Sequence, residues 1–294
     1  MKVWVRRIGI VVGVLVLLLV VAIGAVYGLS ALKLGESHEA TVHAFDPGSG
    51  DVREGAHLAA TYGCTECHGQ DLGGTLLVDG MPFARVPAPN LTSGRSDGAL
   101  SDDEWELGVR HGIGPDGRSL FIMPSAEYVI LSDQDLADIV AYARTLPAVT
   151  DTLPGRTFGP IGRMAIAMGQ LPFATDLMPE RAEHMPAPEK APTREFGFYL
   201  TRLCRGCHGE NLAGGPPLEP DAPPGPNLTP AGNLAGWTYE QFAHAVRTGE
   251  TPDGRSLNPQ FMPWPAIGQA TDTELQAMWT YLSSLEPVPT DPAL

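Results

Sequence analysis

The chain has 294 residues, of which 43% are hydrophobic and 18% charged. This length and balance exclude a disordered protein and predict one large domain or two of ordinary size. The formal charge of −15 at pH 7 excludes nucleic acid as a favourable partner, because its phosphates would be repelled. Glycine and proline are abundant, at 34 and 28 residues, so we expect long ordered loops between few regular elements.

The first predicted element is a membrane-spanning helix. Residues Ile8–Leu32 form 25 consecutive uncharged positions, which at about 1.5 Å per residue are long enough to cross a hydrocarbon core of ~30 Å. Lys2, Arg6 and Arg7 precede this stretch, and Lys33 alone follows closely. The positive-inside bias therefore places the N-terminus in the cytoplasm and the rest of the chain on the periplasmic side of the inner membrane. A cleaved signal peptide is the alternative, although its apolar core is usually about 7–15 residues long.

All four cysteines belong to two copies of a Cys-x-x-Cys-His motif, at Cys64–His68 and Cys204–His208. This motif is the attachment signature of haem c. Cysteines at positions i and i+3 lie on one side of a helical turn, where they can form thioethers with the two vinyl groups of one porphyrin edge. The next residue is then aimed at the iron. The motifs therefore predict two haem c groups, with His68 and His208 as iron ligands and four cysteines as attachment points: Cys64, Cys67, Cys204 and Cys207.

Other kinds of site also use paired cysteines. Two such pairs with two histidines could form one or two zinc sites, and disulfides within each pair are possible outside the cytoplasm. A thioredoxin-like dithiol would need a βαβ context, which the sequence does not show. What argues against these alternatives is the matched sequence around the two motifs.

The chain contains an internal repeat with a period of roughly 140 residues. Pro89–Thr92 recurs as Pro226–Thr229, and Pro115–Leu120 recurs as Pro252–Leu257. Small changes in the interval indicate loop insertions between two copies of one domain. The sequence is therefore divided into five parts: an N-terminus and anchor (1–33), a linker (34–50), a first domain (51–147), a proline-rich apolar linker (148–192) and a second domain (193–290).

Each copy carries a methionine before a proline. Met123 follows His68 at nearly the same interval at which Met262 follows His208. A single methionine usually fills space in a core, but two at equivalent positions of a repeat are predicted to be the sixth ligands of the irons. A thioether is a soft donor that favours ferrous iron and raises the reduction potential.

Each copy resembles a class I cytochrome c domain. In that family one helix enters the Cys-x-x-Cys-His motif, a loop-rich region and a methionine-containing loop follow, and a last helix closes the domain. The entering helices are predicted at Arg53–Tyr62 and Thr193–Leu203, and the closing helices at Ser132–Leu146 and Thr271–Leu285. The resemblance implies a mainly α fold, with an N-terminal transmembrane helix followed by two tandem class I cytochrome c domains.

Further details of the resemblance concern the helices and the domain count. Ser132 and Thr271 are typical N-cap residues, and each is followed by an acidic first turn. In the family the entering and closing helices cross at a small residue and an aromatic residue, for which the candidates are Gly55 with Tyr142 and Gly197 with Tyr281. The layout also resembles the cytochrome subunits of membrane-bound alcohol and sugar dehydrogenases, which typically have three haem domains rather than two.

Two further pairs of repeated residues are candidates for contact with haem propionates. Arg118 and Arg255 lie in the duplicated Pro-Asp-Gly-Arg turn, where a guanidinium could pair with a propionate or remain a solvated surface group. Asn90 and Asn227 could hydrogen-bond a propionate or order their loops. The six other histidines have no counterpart in the opposite copy and are interpreted as ordinary surface or loop residues: His38, His43, His57, His111, His184 and His244.

The linker over 148–192 is rich in proline but also carries apolar side chains. These are Phe158, Ile161, Met164, Ile166, Met168, Leu171 and Phe173. They could pack between the domains, rest on the membrane or bind a partner subunit. We expect packing between the domains.

The expected function is electron transfer at the outer face of the membrane. The carrier would pass electrons between a membrane dehydrogenase or quinol-oxidising complex and an oxidase or soluble carrier, so its partners are the bilayer and redox proteins. A dihaem peroxidase is the alternative, but its catalytic haem needs an open sixth position, whereas both copies keep a methionine. A sensory haem module is a third class, for which the chain shows no signalling segment.

Overall fold

The computed structural model describes residues 2–150, 152–179, 184–217 and 222–290. Helix α1 spans Lys2–Gly35. Within the described residues it is the one helix long and apolar enough to cross a membrane, and no residue of its most apolar stretch is buried. Residue 1 of the predicted cytoplasmic N-terminus, and residues 151 and 180–183 of the predicted apolar linker, lie outside the described residues.

The first domain is helical with a small hairpin. A 3-10 turn at Pro47–Ser49 leads into it, and its elements are α2 (Val52–Thr61), α3 (Cys64–His68), β1 (Thr75–Gly80), β2 (Ala84–Ala88), α4 (Asp102–His111), α5 (Ser125–Tyr128) and α6 (Asp133–Thr145). The linker forms β3 (Thr157–Phe158), α7 (Pro160–Ala167) and a 3-10 turn at Ala174–Leu177.

The second domain repeats the helical part of the first, and its described residues form no hairpin. Its elements are α8 (Arg194–Leu200), a 3-10 turn at Thr201–Cys204, α9 (Arg205–His208), α10 (Tyr239–Thr248), α11 (Trp264–Ile267) and α12 (Asp272–Ser283). This architecture confirms the predicted fold class of a mainly α chain with two equivalent domains behind an apolar helix.

The closing helices begin where the sequence predicts. The Ser132 side chain accepts a hydrogen bond from the Asp135 backbone N–H at the start of α6, and the Thr271 side chain does the same for Glu274 in α12. Each cap satisfies a backbone donor that the helix itself leaves unpaired. The entering helix of the second domain is shorter than predicted, because its last turn tightens into a 3-10 turn that ends at Cys204.

Glycines allow the entering and closing helices to cross at close range in both domains. A methyl group on Gly55 would collide with the carbonyl oxygen of Asp138 and lie 2.9 Å from the Cβ of Tyr142. A methyl group on Gly197 would collide with the Ala277 carbonyl and lie 2.7 Å from the Cβ of Tyr281. The predicted crossing of a small residue with an aromatic residue is therefore confirmed in each copy.

A three-stranded antiparallel sheet interrupts the first domain, where the sequence predicted loops. The sheet has the order β1-β2-β3, and β3 reaches it from the linker by pairing Phe158 with Ala84 and Thr157 with Arg85. A small apolar cluster forms around it from Ala84, Val86, Phe158, Ile166 and Phe173.

The expectation that the apolar linker packs between the domains is wrong for this cluster. Its phenylalanines are covered by the hairpin of the first domain, because β2 offers both an edge for pairing and an apolar face. Helix α7 lies instead against the end of α1. There the Arg163 guanidinium stacks on Tyr27 at 5.2 Å from the ring centroid and donates to Ser30 Oγ at 3.2 Å, while Lys33 pairs with Asp176 at 2.7 Å.

The two domains share one apolar core, and buried polar groups join them across it. The Tyr199 hydroxyl of the second domain donates to Asp135 Oδ2 at 2.6 Å and accepts from the Ser132 backbone N–H at 2.8 Å. All three residues are buried. Because such groups cost free energy unless they are hydrogen-bonded, the contact fixes how the domains meet.

A second interdomain contact makes the docking of the domains depend on pH. His57 Nε2 lies 2.9 Å from Glu274 Oε2, and this hydrogen bond raises the pKa of His57. Burial alone would raise the pKa of Glu274, but the hydrogen bond from His57 and the cap at Thr271 outweigh it and lower that pKa. The pair therefore contributes most between about pH 5 and pH 6.5.

We expect stability to fall by up to about 1 kcal/mol as pH rises from 6 to 9, because protonated His57 is lost as the pH passes its raised pKa. Thermal unfolding of the haem-loaded protein against pH measures this effect. His57→Ala should remove that part of the pH dependence. His244→Ala, which removes an exposed histidine 3.8 Å from Glu250, should keep it, and equal profiles for the two variants would contradict the assignment.

Candidate functional site

Each Cys-x-x-Cys-His motif lies on a short helix that ends in glycine. In the first domain the motif is α3 itself, and in the second it runs through the 3-10 turn into α9. The glycines after the two histidines have φ values of 83° and 78°, which favour glycine because other residues are strained there. The chain thus turns away directly after each histidine.

The four cysteines are unpaired and partly buried. Burial in apolar surroundings raises the pKa of Cys64 and of Cys204 to about 12. Among the described residues, neither motif belongs to a cluster of three potential metal ligands. An apolar thiol pair of this kind suits a porphyrin edge.

Both motif histidines are held in one tautomer. His68 Nδ1 donates to the Pro89 carbonyl oxygen at 2.8 Å, and His208 Nδ1 donates to the Pro226 carbonyl oxygen at 2.7 Å. A carbonyl can only accept, so the proton lies on Nδ1 and Nε2 keeps its lone pair. Burial lowers the pKa of both rings, which keeps them neutral. A neutral imidazole oriented by a backbone carbonyl is the form that binds iron.

Sequence reasoning missed the two proline carbonyls that perform this orientation. Pro89 and Pro226 open the repeated Pro-Asn-Leu-Thr segments, and the repetition of those segments was the available signal. Any residue type can supply a backbone carbonyl, so the sequence does not identify one as a hydrogen-bond acceptor. The repeated segments therefore indicated only their asparagine side chains as candidate site residues.

The asparagines of the same segments order their loops. Asn90 Oδ1 accepts from the Thr92 backbone N–H at 2.8 Å, and its Nδ2 donates to the Val149 carbonyl at 2.7 Å. In the second domain Asn227 Nδ2 donates to the Val288 carbonyl at 2.7 Å. Each asparagine ties the segment beside the histidine to the chain that follows the closing helix. A propionate contact of Asn90 or Asn227 stays a prediction.

The two repeated arginines lie in exposed turns. The Arg255 side chain is 61% exposed and pairs with Asp253 at 2.8 Å. Arg118 is 54% exposed, with its Nε 3.9 Å from Asp116. Each guanidinium thus has a carboxylate of its own turn beside it, and the predicted propionate pairing of Arg118 and Arg255 stays a prediction.

The two methionines lie in equivalent turns. The Met123 carbonyl accepts from the Ser125 backbone N–H at 2.9 Å, and the Met262 carbonyl accepts from that of Trp264 at 2.7 Å. The short helices α5 and α11 begin directly after them. The structure thus places both methionines in the same local fold, and their ligation of iron stays a prediction.

The first domain contributes to the surroundings of the second motif. A methyl group on Gly206 would lie 3.4 Å from Glu127 Oε1, so the helix that follows Met123 reaches the second Cys-x-x-Cys-His motif. Burial, together with the nearby charge of Glu210, raises the pKa of Glu127 to about 7. A small cavity lies at this junction, lined by Tyr62, Glu127, Tyr128, Leu131, Tyr199, Arg202 and Leu203.

A second cleft between the domains lies beside the same motif. The end of α2 walls a cleft that contains Cys204, and Ile267 of α11 lines the same cleft. The helix after each methionine therefore lies at the contact between the two domains. One cysteine of each motif, Cys64 and Cys204, packs against the apolar core that the domains share.

Comparison with known proteins identifies the two domains separately. The family model described as "Cytochrome c" matches residues 52–147 and 197–286. The "Alcohol dehydrogenase (quinone), cytochrome c subunit" of Gluconacetobacter polyoxogenes is 25% identical over 83% of this chain and 58% of its own length. The "Fructose dehydrogenase cytochrome subunit" of Gluconobacter japonicus is 31% identical over 45% of this chain and 30% of its own length.

A "Diheme cytochrome c-type" protein of Cereibacter sphaeroides is 26% identical, over 80% of this chain and 86% of its own length. The chain thus spans 58% of the alcohol dehydrogenase subunit but most of the dihaem protein. A match over 80% of the chain is too long to lie within a single domain, so it includes residues of both.

Proposed function

This chain belongs to the cytochrome c family, and from that premise we propose that it is a dihaem electron carrier held at the outer face of the inner membrane. Haem iron, when bound, cycles between its ferrous and ferric states and so moves one electron at a time. His68 and Met123 would hold one iron, and His208 and Met262 the other. The duplicated hydrogen bond from histidine Nδ1 to a proline carbonyl carries the proposal, because it presents Nε2 to a metal in both domains.

The chain's own residues would mainly hold and shield the two haems. The cysteines fix the porphyrin edge, the proline carbonyls keep the histidines neutral and oriented, and the shared core excludes water. Because the helix after each methionine lies at the contact between the domains, we propose that electrons pass between the domains rather than entering and leaving through a single haem. This division of roles is that of a carrier rather than of a catalytic subunit.

The proposed partners are redox proteins of the membrane. The relatives are named as cytochrome subunits of dehydrogenases, which supports a place beside a membrane dehydrogenase. After Lys33 the sequence contains one further lysine, Lys190, and its ammonium group pairs with Glu54 at 2.5 Å. An acidic body of this kind favours partners with basic docking faces.

Counting haems in paired variants tests the proposal. The purified protein should carry two covalent haems by pyridine haemochrome assay and by intact mass. Cys64→Ala with Cys67→Ala should leave one haem, in the second domain, and Cys204→Ala with Cys207→Ala should leave one in the first. Each double variant is the control for the other. Zinc without haem colour, or one haem in the wild type, would overturn the proposal.

A further inference from the structure

A cluster of metal-binding side chains lies on the first domain, apart from both Cys-x-x-Cys-His motifs. Glu106 Oε1 lies 3.2 Å from His111 Nε2 and 3.7 Å from His184 Nε2. One ligand atom from each of the three residues lies within 4.8 Å of the others. The side chains of both histidines are mostly buried, and both face the same carboxylate.

The carboxylate is the unusual member of the cluster. Glu106 is fully buried, and its Oε2 has no hydrogen-bond partner among the described residues. Arg110 does not supply one, since its Nη1 is 3.8 Å from Oε1 and its Nη2 pairs with Asp133 at 2.9 Å. Burying a carboxylate with spare acceptor capacity costs free energy unless a cation or donor completes it.

The spacing fits a tetrahedral ion. Zinc binds imidazole nitrogen and carboxylate oxygen at about 2.0–2.1 Å, so that neighbouring ligand atoms are separated by roughly 3.3–3.4 Å. Glu106 Oε1 lies 3.2 Å from His111 Nε2 and 3.7 Å from His184 Nε2, so the two separations lie on either side of this value. Two neutral imidazoles and one carboxylate are a ligand set that zinc uses, and it leaves a fourth position for water. The ring of His43 lies beside that of His184, with centroids 4.4 Å apart.

The charges of the cluster also suit a divalent cation. Glu106 and Asp133 are two acids against the single guanidinium of Arg110, so the net charge is negative while the imidazoles are neutral. The Arg110 guanidinium directs its Nη2 to the Leu131 carbonyl and to Asp133, and its Nη1 lies 3.8 Å from Glu106 Oε1, so the carboxylate of Asp133 offsets the positive charge beside the cluster. We propose that Glu106, His111 and His184 bind one zinc-class divalent ion, separate from the two haems.

This site would connect two segments of the chain that are distant in sequence. Glu106 and His111 belong to the last two turns of α4, whereas His184 belongs to the linker that follows the first domain. A bound ion would clamp the linker onto α4 beside the Met185 N–H, which donates to the Ile130 carbonyl at 3.1 Å.

Equilibrium dialysis of the chelator-treated, haem-loaded full chain against Zn²⁺ tests the proposal, with zinc and iron counted separately. We expect one zinc per two irons. His184→Ala and His111→Ala should each weaken zinc binding by at least about 100-fold, while their haem count stays at two. His244→Ala removes an exposed histidine and should leave binding unchanged. No stoichiometric zinc, or an equal loss in His184→Ala and His244→Ala, would overturn the proposal.

A second measurement keeps the proposal testable if the variants fold poorly. X-ray absorption at the zinc edge of the wild-type protein reports the ligands without interference from haem iron. Two imidazole nitrogens and a carboxylate oxygen around the zinc are expected. Sulfur ligands would place the zinc at the cysteines and overturn both the proposed site and the haem assignment, whereas one imidazole or none would overturn the site alone.

Discussion

Met262→Ala is expected to lower the reduction potential of one haem by a substantial part of the roughly 0.8 V range that axial ligands span. The thioether is a soft ligand that stabilises ferrous iron, so its loss favours the ferric state. Met123→Ala should do the same to the other haem. A spectroelectrochemical titration, followed at the near-infrared methionine-to-iron charge-transfer band, would show one band and one potential lost in each variant.

Met168 supplies the matched control for both methionine variants. It lies in the linker with 61% of its surface exposed, so Met168→Ala makes the same chemical change away from either haem. If Met262→Ala retains the charge-transfer band at full strength, the ligand assignment is wrong. Carbon monoxide added to the reduced wild type provides a separate check, since rapid binding at one haem would favour the peroxidase alternative.

Tyr199→Phe is expected to destabilise the joined domains by about 2 kcal/mol or more, since each buried group left without its partner costs about 1–3 kcal/mol. The change removes the Tyr199 hydroxyl. It leaves two buried groups without their hydrogen-bond partner, the Asp135 carboxylate and the Ser132 backbone N–H. Burial already raises the pKa of Asp135, and the Tyr199 hydrogen bond opposes that rise, so the variant should also hold Asp135 protonated to higher pH.

Calorimetric unfolding of the haem-loaded protein measures the loss. Tyr239→Phe is the matched control, because its hydroxyl makes one exposed bond of 3.4 Å, to the Asp272 carbonyl, and its removal should change stability by less than about 0.5 kcal/mol. Equal destabilisation by the two changes would mean that the interdomain bond contributes nothing specific.

Local features of the fold could be predicted because their signals are close together in the chain. Ser132 and Thr271 begin helices through bonds to residues three positions ahead, and cap chemistry is readable at that distance. The crossings at Gly55 and Gly197 followed from the family resemblance, and their cause is the absence of a Cβ where two backbones meet. The Cys-x-x-Cys-His motifs are likewise complete within a single short segment.

Features that depend on distant partners could not be predicted. Thr157–Phe158 forms a strand because it pairs with Ala84 and Arg85, which lie far earlier in the sequence. Neither segment shows the clear alternation of polar and apolar residues that predicts a strand. His184 and Glu106 are brought together only by the path of the linker. For the same reason the sequence alone does not show that the linker phenylalanines pack on the hairpin of the first domain rather than between the domains.

The contact between α7 and the end of α1 bears on how the carrier meets its partners. A domain on a loose tether would tumble, and each of its faces would sweep through a broad volume above the bilayer. With Arg163 held by Tyr27 and Ser30, and Lys33 by Asp176, we expect the first domain to turn together with the helix instead. If α1 spans the bilayer as proposed, the height and tilt of the domain are then set, and encounters with a partner reduce to lateral diffusion and rotation about the membrane normal. A partner whose docking face stands at the matching height gains in collision frequency, and one at a different height is excluded by geometry rather than by affinity.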